Sequence, residues 1–168
     1  MKKYFIILLI ILTLNGCQTN NINKSTSDVI NQKADSLLNI MTLDEKIGQM
    51  NQYNGFWDVT GPSPKNGDAK YKYENLKKGL VGSMLNMRGV RDITAVQKIA
   101  VEETRLGIPL IIGNDVIHGY KTLSPIPLAE AASWDIDEIE NSARIAALEA
   151  SAAGTNWTFA PMIDISRD

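Results

Sequence analysis

Cysteine and histidine are almost absent from this chain of 168 residues, which holds one of each, Cys17 and His118. A single thiol excludes an intramolecular disulfide, and one Cys with one His makes a zinc site improbable. A dominant charge is lacking too. Seventeen Lys and Arg stand against nineteen Asp and Glu, a formal net charge of −2. That excludes a strongly basic nucleic-acid binder and an acidic disordered tail. Gly and Pro, at 12 and 6, are too few for low complexity. The apolar run over residues 4–12 falls well below the ~20 residues of a membrane-spanning helix. What is present is an ordinary globular composition, 44% hydrophobic. The length suits one domain, but a single α/β barrel domain can exceed ~200 residues.

The N-terminus reads as an address. Lys2 and Lys3 precede the apolar run, and Thr13, Leu14, Asn15, Gly16 and Cys17 follow it. That is the layout of an export signal over residues 1–16. The stretch 14–17, Leu-Asn-Gly-Cys, resembles the lipobox of bacterial lipoproteins, in which cleavage leaves a lipidated Cys as the new N-terminus. Asn15 departs from the small residue usual there. Removing Lys2 and Lys3 would leave the remainder at −4. Acyl chains on Cys17 would anchor the protein to a membrane without spanning it. Gln18 rather than Asp after the Cys points, by the same resemblance, to the outer membrane facing the periplasm. Residues 17–27 are polar and read as a flexible tether.

The fold proper is expected over residues 28–168. Residues 28–40 carry Val29, Ile30, Ala34, Leu37, Leu38 and Ile40 at helical spacing. Thr42 and Glu45 match a capping box that starts a second, short helix running to about Met50. Residues 54–70, rich in Gly and Pro, read as a loop; Tyr53 before it and Phe56 and Trp57 within it read as packing residues, with a sugar platform as the alternative. Residues 81–87 read as a buried strand. Residues 92–106 read as a helix burying Ile93, Val96, Ile99 and Ala100 and ending at Gly107 and Pro109. Residues 110–112 form an apolar strand without alternation, as in a parallel sheet covered on both faces. Asp135 is an N-cap with Glu138 at N3, and Trp134 is placed to staple to Ile139. The helix runs to Ala152 with Ile136, Ile139, Ala143, Ala146, Ala147 and Ala150 as its buried stripe. A third strand follows over residues 156–161. Alternation of strands with amphipathic helices implies a parallel sheet. The glycine fingerprint of a doubly wound dinucleotide fold is missing. The expectation is therefore α/β, the N-terminal part of a (β/α)8 barrel, incomplete in this chain because about eight strands close one.

In a barrel, chemistry sits at the strand C-termini. Asp115 and His118 follow the second expected strand; Asp164, Arg167 and Asp168 follow the third. A carboxylate at Asp115 can accept two sugar hydroxyls in charge-strengthened bonds, or can cap loop amides. His118 has no partner His or Cys and reads as structural. Asp164, Arg167 and Asp168 are equally consistent with a surface ion pair.

Three segments carry a resemblance: MTLDEKIGQMNQY at 41–53, RLGIPLIIGNDVIHGYKTLSPIPLAEAASWD at 105–135 and TFAPMIDISRD at 158–168. Together, in this order, they resemble the start of a bacterial β-glucosidase of glycoside hydrolase family 3. The resemblance covers residues 28–168 and implies a (β/α)8-like domain, usually followed by an α/β sandwich and often a fibronectin-like domain. It implies retaining hydrolysis of terminal non-reducing β-D-glucosyl residues from oligosaccharides or glycosides, without cofactor or metal. Asp115 matches the family aspartate that grips hydroxyls of the glucosyl unit. His118 and Arg167 match positions at the active face with structural roles. The family's nucleophilic aspartate and acid/base glutamate lie further downstream, so this chain is expected to hold no catalytic residue, to be a truncated piece, and to be inert and unstable alone. Alternatives are a β-xylosidase or β-N-acetylglucosaminidase of the same family, a lipid-anchored glycan-binding module using Trp57, Trp134 and Trp157, and a purely structural lipoprotein. The two tryptophans at 134 and 157 are expected to pack, which argues against the binding module.

Overall fold

The computed structural model describes residues 20–55 and 62–163. Cys17 and the rest of the export signal, Phe56, Trp57, Asp164, Arg167 and Asp168 lie outside the described residues. The chain divides into two compact units after Met41. Among the described residues, the first holds helix α1 (Asn20–Ile40). It starts well before the expected boundary at Asp28, so residues 20–27, read as part of the tether, are helical. Asn, Ser and Thr each cost only a few tenths of a kcal/mol against better helix formers, and a helix nucleated downstream propagates through them.

The second unit begins at Thr42. Its elements are α2 (Leu43–Gly48), β1 (Gln52–Asn54), α3 (Gly67–Lys77), β2 (Ser83–Leu85), α4 (Val90–Glu102), β3 (Ile111–Asn114), α5 (Pro127–Ala132), α6 (Ile136–Ala152) and β4 (Trp157–Thr158). The capping box forms as read. Glu45 N–H donates to Thr42 Oγ1 at 3.2 Å, and Thr42 N–H donates to Glu45 Oε2 at 2.8 Å. Two elements escaped the sequence reading. Strand β1 has only three residues and one half-buried side chain, Tyr53. Helix α3 buries only Asn75 and Leu76, so no apolar stripe announces it. Its i,i+4 pairs are Asp68 with Lys72 at 2.6 Å and Lys70 with Glu74 at 3.7 Å.

The four strands pair in parallel in the order β1-β2-β3-β4. Four strands, not three, are therefore present among the described residues. Sequential order decides between the two candidate architectures. A doubly wound sheet reverses its strand order, whereas a barrel adds each strand beside the last. The chain forms part of a (β/α)8-type barrel.

One face of the sheet is closed by helices. Met84 and Ile112 are fully buried there against Val96 and Ile99 of α4 and Leu76 of α3, with Tyr53 and Tyr73 partly covered. Helix α4 buries the four residues expected of it, but it ends at Glu102 rather than Leu106. Thr104 is the reason. Its hydroxyl donates to the Ala100 carbonyl at 2.6 Å and accepts the Gly107 N–H at 3.2 Å, which satisfies the last turn and releases the chain. Gln97 then latches α4 to the start of β3, donating to the Leu110 carbonyl at 2.8 Å and accepting its N–H at 2.9 Å.

Helix α6 starts where expected, with Asp135 Oδ1 accepting the Glu138 N–H at 3.1 Å. The staple fails. Trp134 takes a φ of 58°, which turns it away from the helix and leaves it 91% exposed. The stripe is also only half buried. Ala146 and Ala150 are covered, while Ile136, Ala143 and Ala147 are exposed, the two alanines along an open apolar groove of about 660 Å³. Among the described residues, no helix is long and apolar enough to cross a membrane.

Candidate functional site

Strand parity builds the site. Register places Asn54, Leu85, Gly113 and Trp157 in one row across the sheet. Side chains alternate along each strand, so this row faces away from the helix-covered Met84 and Ile112. Asp115 and Phe159 lie two residues beyond Gly113 and Trp157 and share that open face. Asp115 therefore stands at the C-terminal end of β3 with its side chain exposed.

Three contacts shape its surroundings. The Thr158 hydroxyl donates to the Asp115 carbonyl at 3.1 Å, fixing the backbone from the neighbouring strand. Gly113 leaves room for an aromatic pair: a Cβ there would meet Phe159 Cε2 at 3.2 Å and Trp157 Cε3 at 3.4 Å. Those two rings pack with centroids 4.6 Å apart. At the ends of β1 and β2, Asn86 donates from Nδ2 to Asn54 Oδ1 at 3.0 Å. Beneath this face, Asn114 is 2% exposed and donates to the Met87 carbonyl and to Thr155 Oγ1, both at 3.0 Å. It thus ties β3 to the chain that follows β2 and precedes β4.

Two backbone outliers occur at strand ends. Asn86 has a φ of 61°, common for asparagine, but Val116 has a φ of 50°, unusual for a β-branched residue. Such a conformation persists only where its surroundings over-determine it, and it is a recurring feature of functional sites. His118 is half-buried two residues further on. Its carbonyl accepts the Ser124 N–H at 2.9 Å, closing a hairpin-like loop.

The structure thus brings Asp115 and His118 to one end of the sheet; Arg167 and Cys17 lie outside the described residues. Sequence reasoning missed Thr158, Phe159 and the Asn54–Asn86 pair. Thr158 and Phe159 sit inside the TFAPM segment, but only the β3–β4 register brings them beside Asp115. Trp157 was expected to pack inside a strand, yet it is 41% exposed on the open face. Neither Trp134 nor Trp157 is buried, so burial does not argue against tryptophan platforms. Among the described residues, no group of three or more His, Cys, Asp or Glu side chains could hold a metal ion.

Such an arrangement can bind a polyhydroxylated ligand: a carboxylate acceptor, amide side chains and an aromatic pair converge on an open face. Comparison with known proteins identifies the family. The family model described as the glycosyl hydrolase family 3 N terminal domain matches residues 42–168. A periplasmic β-glucosidase of Salmonella typhimurium is 40% identical over 132 residues, covering 79% of this chain and 16% of that protein. A lysosomal β-glucosidase of Dictyostelium discoideum is 28% identical over 152 residues, 78% of this chain and 18% of that one. Among solved structures, the β-glucosidase from Listeria innocua in complex with isofagomine superposes with a TM-score of 0.66 at 41% identity, over 82% of this chain and 19% of that chain. A β-glucosidase involved in saponin metabolism from intestinal bacteria superposes with a TM-score of 0.57 at 40% identity, over 79% of this chain and 16% of that chain. The chain spans less than a fifth of the length of these curated relatives.

Proposed function

The chain belongs to glycosyl hydrolase family 3, and from that premise we propose that it forms the first staves of the barrel of a retaining β-glucosidase. The reaction is release of terminal non-reducing β-D-glucosyl residues from oligosaccharides or glycosides. The observation that carries this reading is the placement of Asp115, exposed on the open face at the C-terminal end of β3. From there its two oxygens accept a pair of sugar hydroxyls, while Thr158 keeps its backbone in place. His118 stands at the same end of the sheet, and to Arg167, outside the described residues, we assign a structural role on the family resemblance alone.

Retention needs two carboxyl groups about 5 Å apart, one as nucleophile and one as proton donor. On the family resemblance neither corresponds to a residue of this chain, so the 168-residue chain by itself does not turn substrate over. The reading requires no cofactor.

Export belongs to the same proposal. Lys2 and Lys3 precede an apolar run of signal length, and the Salmonella relative is described as periplasmic. Cys17 is the lipidation site, anchoring the protein to the outer membrane on its periplasmic side.

The test is Asp115→Ala in the full-length protein, assayed on an aryl β-glucoside. Losing two hydrogen bonds to a charged acceptor lowers kcat/KM by about a hundredfold or more. Unchanged turnover in this variant, or turnover by the isolated 168-residue chain, removes the reading.

A further inference from the structure

Resting on the glycosidase reading of Asp115, we propose that Glu149 of α6 is a positioning residue for the substrate-gripping loop, holding in place the backbone on which Asp115 stands without touching the sugar. The loop over residues 118–124 closes at its base through the Ser124 N–H to the His118 carbonyl and through an isolated antiparallel bridge between Gly119 and Leu123. The turn is tight. Gly119 has a φ of 109°, and a Cβ there would meet the Thr122 carbonyl oxygen at 2.0 Å, so no other residue fits.

Those contacts define the shape of the loop but not where its tip lies. Glu149 decides that. Its Oε2 accepts the N–H groups of Lys121 and Thr122, both at 2.8 Å, and its Oε1 accepts the Thr122 hydroxyl at 2.7 Å. Bonds to an ionised acceptor are about twice as strong as neutral ones. The same three donors, led by the Thr122 N–H, hold the Glu149 carboxyl below the usual carboxylate range. On the other side of the tip, the Tyr120 hydroxyl accepts the Gly89 N–H at 3.4 Å. The tip is therefore strung between α6 and the segment after β2.

The link to Asp115 runs through Val116. Only Val116 and Ile117 separate Asp115 from the loop base, and Val116 is held at a φ of 50°. That conformation needs support from both sides. Thr158 supplies it on the strand side, and Glu149, through the loop, on the other.

The experiment uses the full-length protein with Glu149→Ala, Glu149→Gln, Asp115→Ala and the Asp115→Ala/Glu149→Ala double variant. Turnover of an aryl β-glucoside and amide hydrogen exchange are measured on each. Glu149→Ala is expected to lower kcat/KM by about tenfold to a hundredfold, the scale of a small misplacement of a binding group. Glu149→Gln, which keeps an acceptor oxygen, recovers part of it. In the Asp115→Ala background the Glu149 effect disappears, because no carboxylate remains to be misplaced. Exchange at Lys121 and Thr122 accelerates, while that at Ile112 does not. Losses that add in the double variant, or unchanged protection at Lys121 and Thr122, overturn the proposal. Should Glu149→Ala fail to fold, Glu149→Gln carries the same test. If Asp115→Ala alone leaves turnover intact, the glycosidase reading fails, and the exchange measurement alone decides whether Glu149 sets the loop.

Discussion

Arg105 grips Glu45 in a two-pronged ion pair across a separation of 60 residues, from Nε to Oε1 at 2.9 Å and from Nη2 to Oε2 at 2.5 Å. The same carboxylate closes the capping box of α2. One side chain thus starts a helix and joins it to the segment that enters β3. Both residues precede their strands, so the pair lies on the N-terminal side of the sheet, where barrel residues serve stability rather than chemistry.

Arg105→Ala is expected to lower the urea midpoint clearly, because it leaves a 7% exposed carboxylate without its cation. Arg105→Lys should recover little, since an ammonium cannot bond both oxygens in the planar fork. Lys77→Ala should be close to neutral, as its pair with Glu103 at 2.8 Å leaves both side chains 44% exposed. Equal midpoints for Arg105→Ala and Lys77→Ala would show that the Glu45 pair contributes nothing special.

Acid sensitivity follows from the same pair. The Arg105 hydrogen bond, then the Thr42 N–H, hold the Glu45 carboxyl down to about 2, from an ordinary 4.5. The folded state therefore binds fewer protons than the unfolded state between these values. The contribution of Glu45 is complete above the unfolded pKa and is lost as pH falls through 4.5 toward about 2. The urea midpoint of the native protein should fall over that window, and the fall should be shallower in Arg105→Ala. Identical pH profiles would separate Glu45 from acid sensitivity.

Adjacent residues of β3 should respond very unequally to truncation. Ile112 is fully buried on the helix-covered face, whereas Ile111 is 49% exposed on the other. Ile112→Ala should cost about 2–5 kcal/mol, and Ile111→Ala less than about 1 kcal/mol. Urea denaturation at constant m-value measures both. Comparable losses would mean that the open face of the sheet is packed in solution.

Local chemistry made several elements legible in advance. Thr42 with Glu45, and Asp135 with Glu138, start their helices because the bonds that cap a helix lie within four residues of one another. The apolar residues of β2, α4 and β3 were legible because a core helix and a buried strand need continuous or periodic apolar side chains. The motif around Asp115, together with the segments at 41–53 and 158–168, carried the family resemblance.

Other features depended on distant partners. Strand β1 is too short to announce itself and exists through pairing with β2. The half-covered stripe of α6 and the exposure of Trp134 follow from what packs nearby and from a single φ angle, neither of which a periodicity records. The reach of Glu149 to Lys121 and Thr122, and of Thr158 to the carbonyl of Asp115, spans 27 to 43 residues. Sequence alone determined which residues cap, which are apolar and which motif is present, since those are properties of neighbours along the chain. Only the tertiary structure decided which face Asp115 occupies and what holds its loop, because strand register and long-range hydrogen bonds are set by packing.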